Sequence, residues 1–105
     1  MALKDNNKNE NKDKVQWNLL PWESTEEVVK VLMHGNNRPG RKANDWESKG
    51  VEYTEECFSA ALRHLTAWKK GNKLDKDSEL HSLAHAIARL YIIMEIEKYE
   101  NNKKI

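Results

Sequence analysis

Residues 80–99 read LHSLAHAIARLYIIMEIEKY. Leu80, Leu83, Ala84, Ile87, Leu90, Tyr91 and Met94 recur at three- and four-residue spacing, which marks one face of a helix. Ala88, Ile92, Ile93 and Ile96 carry the apolar surface almost all the way round its middle. A helix apolar on more than one side needs more than one neighbour. This predicts a helix from Ser78 or Glu79 to about Tyr99, capped by Asp77 or Ser78. It also predicts a partner subunit packed on part of that surface.

Two shorter helices are expected before it. Ser24-Thr25-Glu26-Glu27 has the form of a capping box, with Glu27 three residues after Ser24. Val28, Val31, Leu32 and Met33 follow at helical spacing, and Gly35 is a stop signal, so the first helix is placed at 24–34. Trp17, Leu19, Leu20, Pro21 and Trp22 form a short apolar entry that Pro21 keeps from being a long helix. A second helix is placed at 52–70, with Tyr53, Cys57, Ala61, Leu65 and Trp68 on one stripe, Phe58 and Leu62 widening it, and Gly71 ending it. Residues 72–77 read as a turn. No segment alternates with period two, so the expected class is all-α: a small bundle of three main helices, completed by oligomerisation.

With 105 residues, one domain is the natural expectation. Residues 1–14 and 101–105 are mostly polar and charged, too poor in apolar area to offset the entropy of ordering, and read as disordered tails. The folded part is placed at 15–100. A body of that size gains from association in burying enough surface. Eighteen basic residues nearly balance seventeen acidic ones, which gives no pull towards nucleic acid or membrane. No apolar run approaches the roughly 20 residues needed to span a bilayer. No signal-peptide core is present, and the single cysteine, Cys57, suits a reducing cytoplasm.

The candidate chemistry lies mainly between residues 63 and 85. His81 and His85, four apart, share one face of the last helix, a spacing at which two imidazoles can share a metal. Asp75 and Asp77 just precede it, and carboxylates favour Mg²⁺ or Mn²⁺. The structural alternative is that Asp77 only caps a helix and His85 only completes a hydrogen-bonded core. Glu23, Glu26 and Glu27 could bind a cation with Glu55 and Glu56, or simply suit helix N-termini. Arg63 offers forked contacts to phosphate, and His64 adjoins it. Arg38, Arg41 and Lys42 in the polar loop 36–50 could clamp phosphates while Trp46 stacks on a base. A solvated loop with one anchoring Trp fits equally. Cys57 reads as a core residue, and the Ser, His and Asp residues form no triad motif.

These residues together resemble a known family. Lys14, Trp17, Leu19-Leu20-Pro21, the run Glu26-Glu27-Val28-Val29-Lys30-Val31-Leu32, Gly35 and Trp46 carry the first half of the likeness. Ala61, Arg63-His64-Leu65, Ala67-Trp68, Gly71, Asp75, Asp77-Ser78 and Leu83-Ala84-His85-Ala86 carry the second. The pattern is similar to small phage dATP/dGTP diphosphohydrolases over about residues 14–97, and more loosely to the all-α NTP pyrophosphohydrolases. The latter's Glu-Glu-x-x-Glu plus Glu-x-x-Asp signature is not clear here. The resemblance implies cleavage of a nucleoside triphosphate into monophosphate and pyrophosphate, with Mg²⁺ or Mn²⁺ neutralising phosphate charge. It implies His64, Asp75 and Asp77 as catalytic candidates, Arg63 and His64 as phosphate contacts, and Glu26, Glu27, Asp75, Asp77 and His85 as metal ligands. The chain departs from the pattern at Ser82, where a histidine is usual, at Glu79, where a glycine is usual, and at 36–39, where a Lys-Tyr pair is missing.

The expectation is therefore a phage-type nucleotide-binding homo-oligomer of the (host) cytoplasm, an enzyme of the (d)NTP diphosphohydrolase type. Two alternatives stand beside it. One is a non-catalytic phage decoy that sequesters a nucleotide signal of host immunity. The other is a helical adaptor that binds another protein through the last helix.

Overall fold

The computed structural model describes residues 13–36 and 49–103. The proposed phosphate clamp and base stack, Arg38, Arg41, Lys42 and Trp46, lie outside the described residues, as do residues 1–12 and 104–105. A 3-10 turn at Trp17–Leu19 leads into α1 (Trp22–Asn36), followed by α2 (Tyr53–Lys69) and α3 (Ser82–Lys103). Among the described residues the only extended pairing is an isolated antiparallel bridge between Leu74 and His81. The all-α expectation holds.

Helix α3 is the centre. It packs against both α1 and α2, and α2 forms the larger contact. Two of its apolar sides thus serve two elements of the same chain. Val28 and Val31 of α1 meet Ala84 and Ala88, with Leu80 alongside. Tyr53 and Cys57 of α2 meet Ile96, with Ile92 and Ile93 alongside. The small residues Ala60, Ala61, Ala84 and Ala88 are buried, which lets the helix backbones approach closely. The third apolar side, Ile87, Leu90, Tyr91 and Met94, stays 41–49% exposed. On α2 the stripe drawn through Leu65 and Trp68 is only partly right. Tyr53, Cys57, Ala60 and Ala61 are buried, whereas Phe58, Leu62, Leu65 and Trp68 lie outward.

Both ends of α1 and both ends of α3 differ from expectation; at its far end α1 continues through Gly35 to Asn36, so Gly35 does not stop it. Helix α1 begins at Trp22, with the Thr25 N–H donating to the Pro21 carbonyl at 2.9 Å, so Ser24 lies inside the helix and no capping box forms. Helix α2 ends as expected at Gly71. There Asn72 N–H reaches the Ala67 carbonyl and Gly71 N–H the Trp68 carbonyl, both at 2.9 Å, with Gly71 at φ 103°. That is the double bond of a left-handed helix stop.

Helix α3 begins at Ser82, not at Ser78, so neither Asp77 nor Ser78 caps it. Residues 72–82 instead fold into a closed loop. Asp75 N–H donates to the Leu80 carbonyl at 2.8 Å and Ser82 N–H to the Lys73 carbonyl at 2.7 Å. Glu79 adopts φ 63°, which a right-handed helix cannot accommodate. At its far end α3 takes in Asn101–Lys103, where composition suggested a tail. No described helix is long and apolar enough to cross a membrane.

Candidate functional site

The closed loop between α2 and α3 builds the site. Asp75 Oδ2 accepts the backbone N–H groups of Asp77 and Ser78, each at 3.1 Å. The Ser78 hydroxyl oxygen accepts the Leu80 N–H at 3.1 Å and lies 2.7 Å from His85 Nε2. The turn is thus held by its own side chains, and it presents Asp75 and Ser78 to the first turns of α3.

From α2, His64 enters the same space. Its ring stacks on that of His85, with centroids 4.6 Å apart and planes inclined by 21°. Asp75 lies beneath the pair: Oδ1 is 4.0 Å from His64 Nδ1 and Oδ2 is 3.9 Å from His85 Nε2. Burial, and then the neighbouring His85, hold His64 below the ordinary histidine value; Asp75 pulls the other way. Burial alone would raise the Asp75 carboxyl. The Ser78 N–H, the charge of His85 and the Asp77 N–H outweigh it and hold Asp75 below the usual carboxylate range. At neutral pH the cluster therefore combines an ionised carboxylate with an imidazole biased towards its neutral form. Ser78 and Asp75 both sit at the Nε2 edge of His85, so Asp75 does not hold the far ring nitrogen as a serine triad requires.

Glu27 has another task. Its Oε2 accepts the His81 backbone N–H at 2.6 Å, joining α1 to the start of α3. His81 caps α3, with Nδ1 accepting the Leu83 N–H at 3.0 Å. That bond places the proton of the neutral His81 ring on Nε2. Glu26 faces solvent within 4.0 Å of Lys30. Asp77 is exposed. Among the described residues no three His, Cys, Asp or Glu side chains gather as metal donors. Glu26, Glu27, Asp75, Asp77 and His85 thus do not make a preformed cage for Mg²⁺ or Mn²⁺. Ser82, standing where the pattern has histidine, is 1% exposed and donates its hydroxyl to the Asn72 carbonyl at 2.8 Å.

Arg63, next to His64, turns to a neighbouring open cleft of about 330 Å³ lined by Glu55, Glu56, Ser59, Ala60, Arg63 and Arg89. Arg89 was not singled out by the sequence. It sits one turn after His85, half-buried, and its Nη1 donates to the Tyr53 hydroxyl at 3.1 Å and to Cys57 Sγ at 3.7 Å. Its only signal was the four-residue step from His85, on the helix side that faces α2.

Fold and site define an all-α protein whose polar centre pairs two histidines with one carboxylate and borders an arginine-bearing cleft. The chain belongs to the family described as dATP/dGTP diphosphohydrolase, N-terminal, which it matches over residues 4–104. It is 32% identical over 80 residues to a dATP/dGTP diphosphohydrolase of Salmonella phage PMBT28, an alignment covering 76% of this chain and 26% of that protein. The chain thus spans about a quarter of the length of that relative. No solved structure matches it.

Proposed function

We propose that this chain is a phage-type nucleotide-binding unit, acting in the host cytoplasm, that hydrolyses a deoxynucleoside triphosphate to monophosphate and pyrophosphate. The observation that carries the reading is the stacked His64–His85 pair over Asp75, in a chain of this family. The relative's name makes dATP and dGTP the first nucleotides to test.

In this reading His64 is the general base. Burial and His85 bias it to the neutral form, so it can take a proton from an attacking water near pH 7. Asp75, kept ionised by its N–H donors, stabilises the imidazolium that results. The water oxygen forms the new bond to phosphorus, and the bond between the α- and β-phosphates breaks with its electron pair leaving on oxygen. Ser78 orients His85, and Arg63 takes phosphate oxygens. Asp77, which is exposed, and the loop residues Arg38, Arg41, Lys42 and Trp46 are assigned to the phosphate chain and base. Mg²⁺ or Mn²⁺ would supply charge neutralisation on the phosphates. Since the described donors form no cage of three, the ion is proposed to enter with the nucleotide. Self-association through the exposed side of α3 completes the proposal.

The test is pyrophosphate release from dATP and dGTP with Mg²⁺ or Mn²⁺, abolished by EDTA and lost in His64→Gln. No release across a nucleotide panel would sink the hydrolase reading. The decoy reading draws on Ser82, whose hydroxyl is spent on Asn72 where the pattern has a histidine. It requires that bound nucleotide be recovered unchanged after heat denaturation of the complex.

A further inference from the structure

We infer that the cleft between α2 and α3 is a phosphate subsite in which Arg63 and Arg89 together grip the oxygens of a phosphate chain. The inference deepens the nucleotide reading and rests on it only for what the phosphates belong to.

The two arginines reach the cleft from different helices, Arg63 from α2 and Arg89 from α3. They are built differently. Arg63 is exposed at the rim. Arg89 is half-buried, and Tyr53 and Cys57 fix it by its Nη1 edge. Both anchors are buried, at 8% and 0% exposure. A guanidinium held by one edge is already oriented, so less rotamer entropy is lost when its remaining N–H donors engage a ligand. Among the described residues neither arginine forms an ion pair with a carboxylate. A half-buried arginine without a carboxylate partner is what an anion site needs, because the missing counter-charge is the ligand's. Ser59 on the same wall adds a hydroxyl. The volume is at the low end of the range for ligand pockets, about 300–1,000 Å³, and suits a phosphate chain better than a whole nucleotide.

Glu55 and Glu56 line the same cleft. Neither forms an ion pair with Arg63 or Arg89, so the arginines' donors stay available, but the two carboxylates lower the net positive charge that a phosphate meets in the cleft. Two consequences follow that a mere basic patch would not show. Binding should weaken little with salt. Removing a carboxylate charge should tighten it.

The decisive experiment is calorimetric titration of the full chain with inorganic pyrophosphate in metal-free buffer, with orthophosphate as the smaller probe. Pyrophosphate should bind more tightly than orthophosphate. Arg89→Gln and Arg63→Gln should each weaken pyrophosphate by about ten- to a hundred-fold. Arg89→Lys should recover only part of the loss, since an ammonium lacks the fork. Glu56→Gln should tighten pyrophosphate by about two- to five-fold. Thermal melts identify variants that remain folded. Tyr53→Phe, which frees the Arg89 edge but leaves its charge, is the gentler second variant and should weaken binding several-fold. Unchanged pyrophosphate affinity in folded Arg89→Gln and Tyr53→Phe would overturn the subsite, as would wild-type protein that binds neither pyrophosphate nor dGTP. Turnover does not enter this measurement. Arg89-dependent pyrophosphate binding without any release from dATP or dGTP upholds the subsite and defeats the hydrolase reading. Turnover with Arg89-independent binding does the reverse.

Discussion

Asp75 supports its own turn through two backbone N–H groups and faces two imidazoles. Its titration and that of His64 therefore bear on stability. Both folded-state values are lowered. For each, the unfolded chain takes up the proton more readily, so stability is full above the unfolded value and falls as pH drops through the folded one. The His64 contribution starts to be lost below about pH 6.5, and that of Asp75 below about pH 4. Melting temperature should hold near pH 8 and decline in two acid steps. His64→Gln should remove the upper step, which melts between pH 5 and 8 would read directly. If that step survives, His64 is not its source. Asp75→Asn should lower the His64 pKa further, since Asp75 is the group that raises it, and NMR titration of the ring protons would show this. Glu79 offers a separate test. It holds a left-handed φ of 63°, at the position where the family resemblance has glycine. Glu79→Gly should stabilise the chain by about 0.5–1 kcal/mol, read as a rise in melting temperature. Destabilisation would mean that the Glu79 side chain contributes something its backbone angle does not show.

At the level of elements, α1 is tied to α3 by a short apolar contact and by one charge-assisted bond, Glu27 to the His81 N–H. Glu27→Ala should cost about 1–3 kcal/mol, which in a domain of this size is a loss of roughly 4–8 °C per kcal/mol. The loss should be the same with Mn²⁺ or EDTA. A cost seen only with metal would return Glu27 to the ligand set. Ile96→Ala, at the α2–α3 core and 2% exposed, should cost more, about 2–5 kcal/mol. Apolar spacing made the three helices and the Gly71 stop legible, because periodicity registers any face that must leave water. The start of α3 was not legible. Asp77-Ser78 before an apolar run has the form of a cap, but Asp75 takes their N–H groups and Glu79 turns left-handed, which moves the cap to His81. Within the site, His64, Asp75 and His85 could be read from the sequence because their residue types are chemically suggestive. Arg89 could not, since an arginine on a helix looks solvated until its buried anchors, Tyr53 and Cys57, are placed beside it.

At the scale of the molecule, the three helices of the described residues leave one side of the central helix exposed. Ile87, Leu90, Tyr91 and Met94 are spaced three, one and three residues apart and are each 41–49% exposed, so they share one outward face. Scattered apolar residues at a surface are ordinary. Four on adjoining turns of one helix make a continuous patch of the kind that marks association. The inward sides of α3 are already occupied by α1 and α2, which leaves this side for a second copy, as the proposed oligomer requires. His85 and Arg89 lie on the side of α3 that faces α2, so such a contact would leave the site open. Sedimentation velocity at micromolar concentration should show a dimer or larger species. Tyr91→Glu or Met94→Glu should give monomer, because a carboxylate is costly to bury without a partner. The same variants should keep most of their pyrophosphate affinity, since no residue of the cleft is altered. A wild-type protein that sediments as a monomer at all concentrations would remove the second copy as occupant of this face. A monomeric variant that loses pyrophosphate binding while remaining folded would show that the site depends on the partner copy.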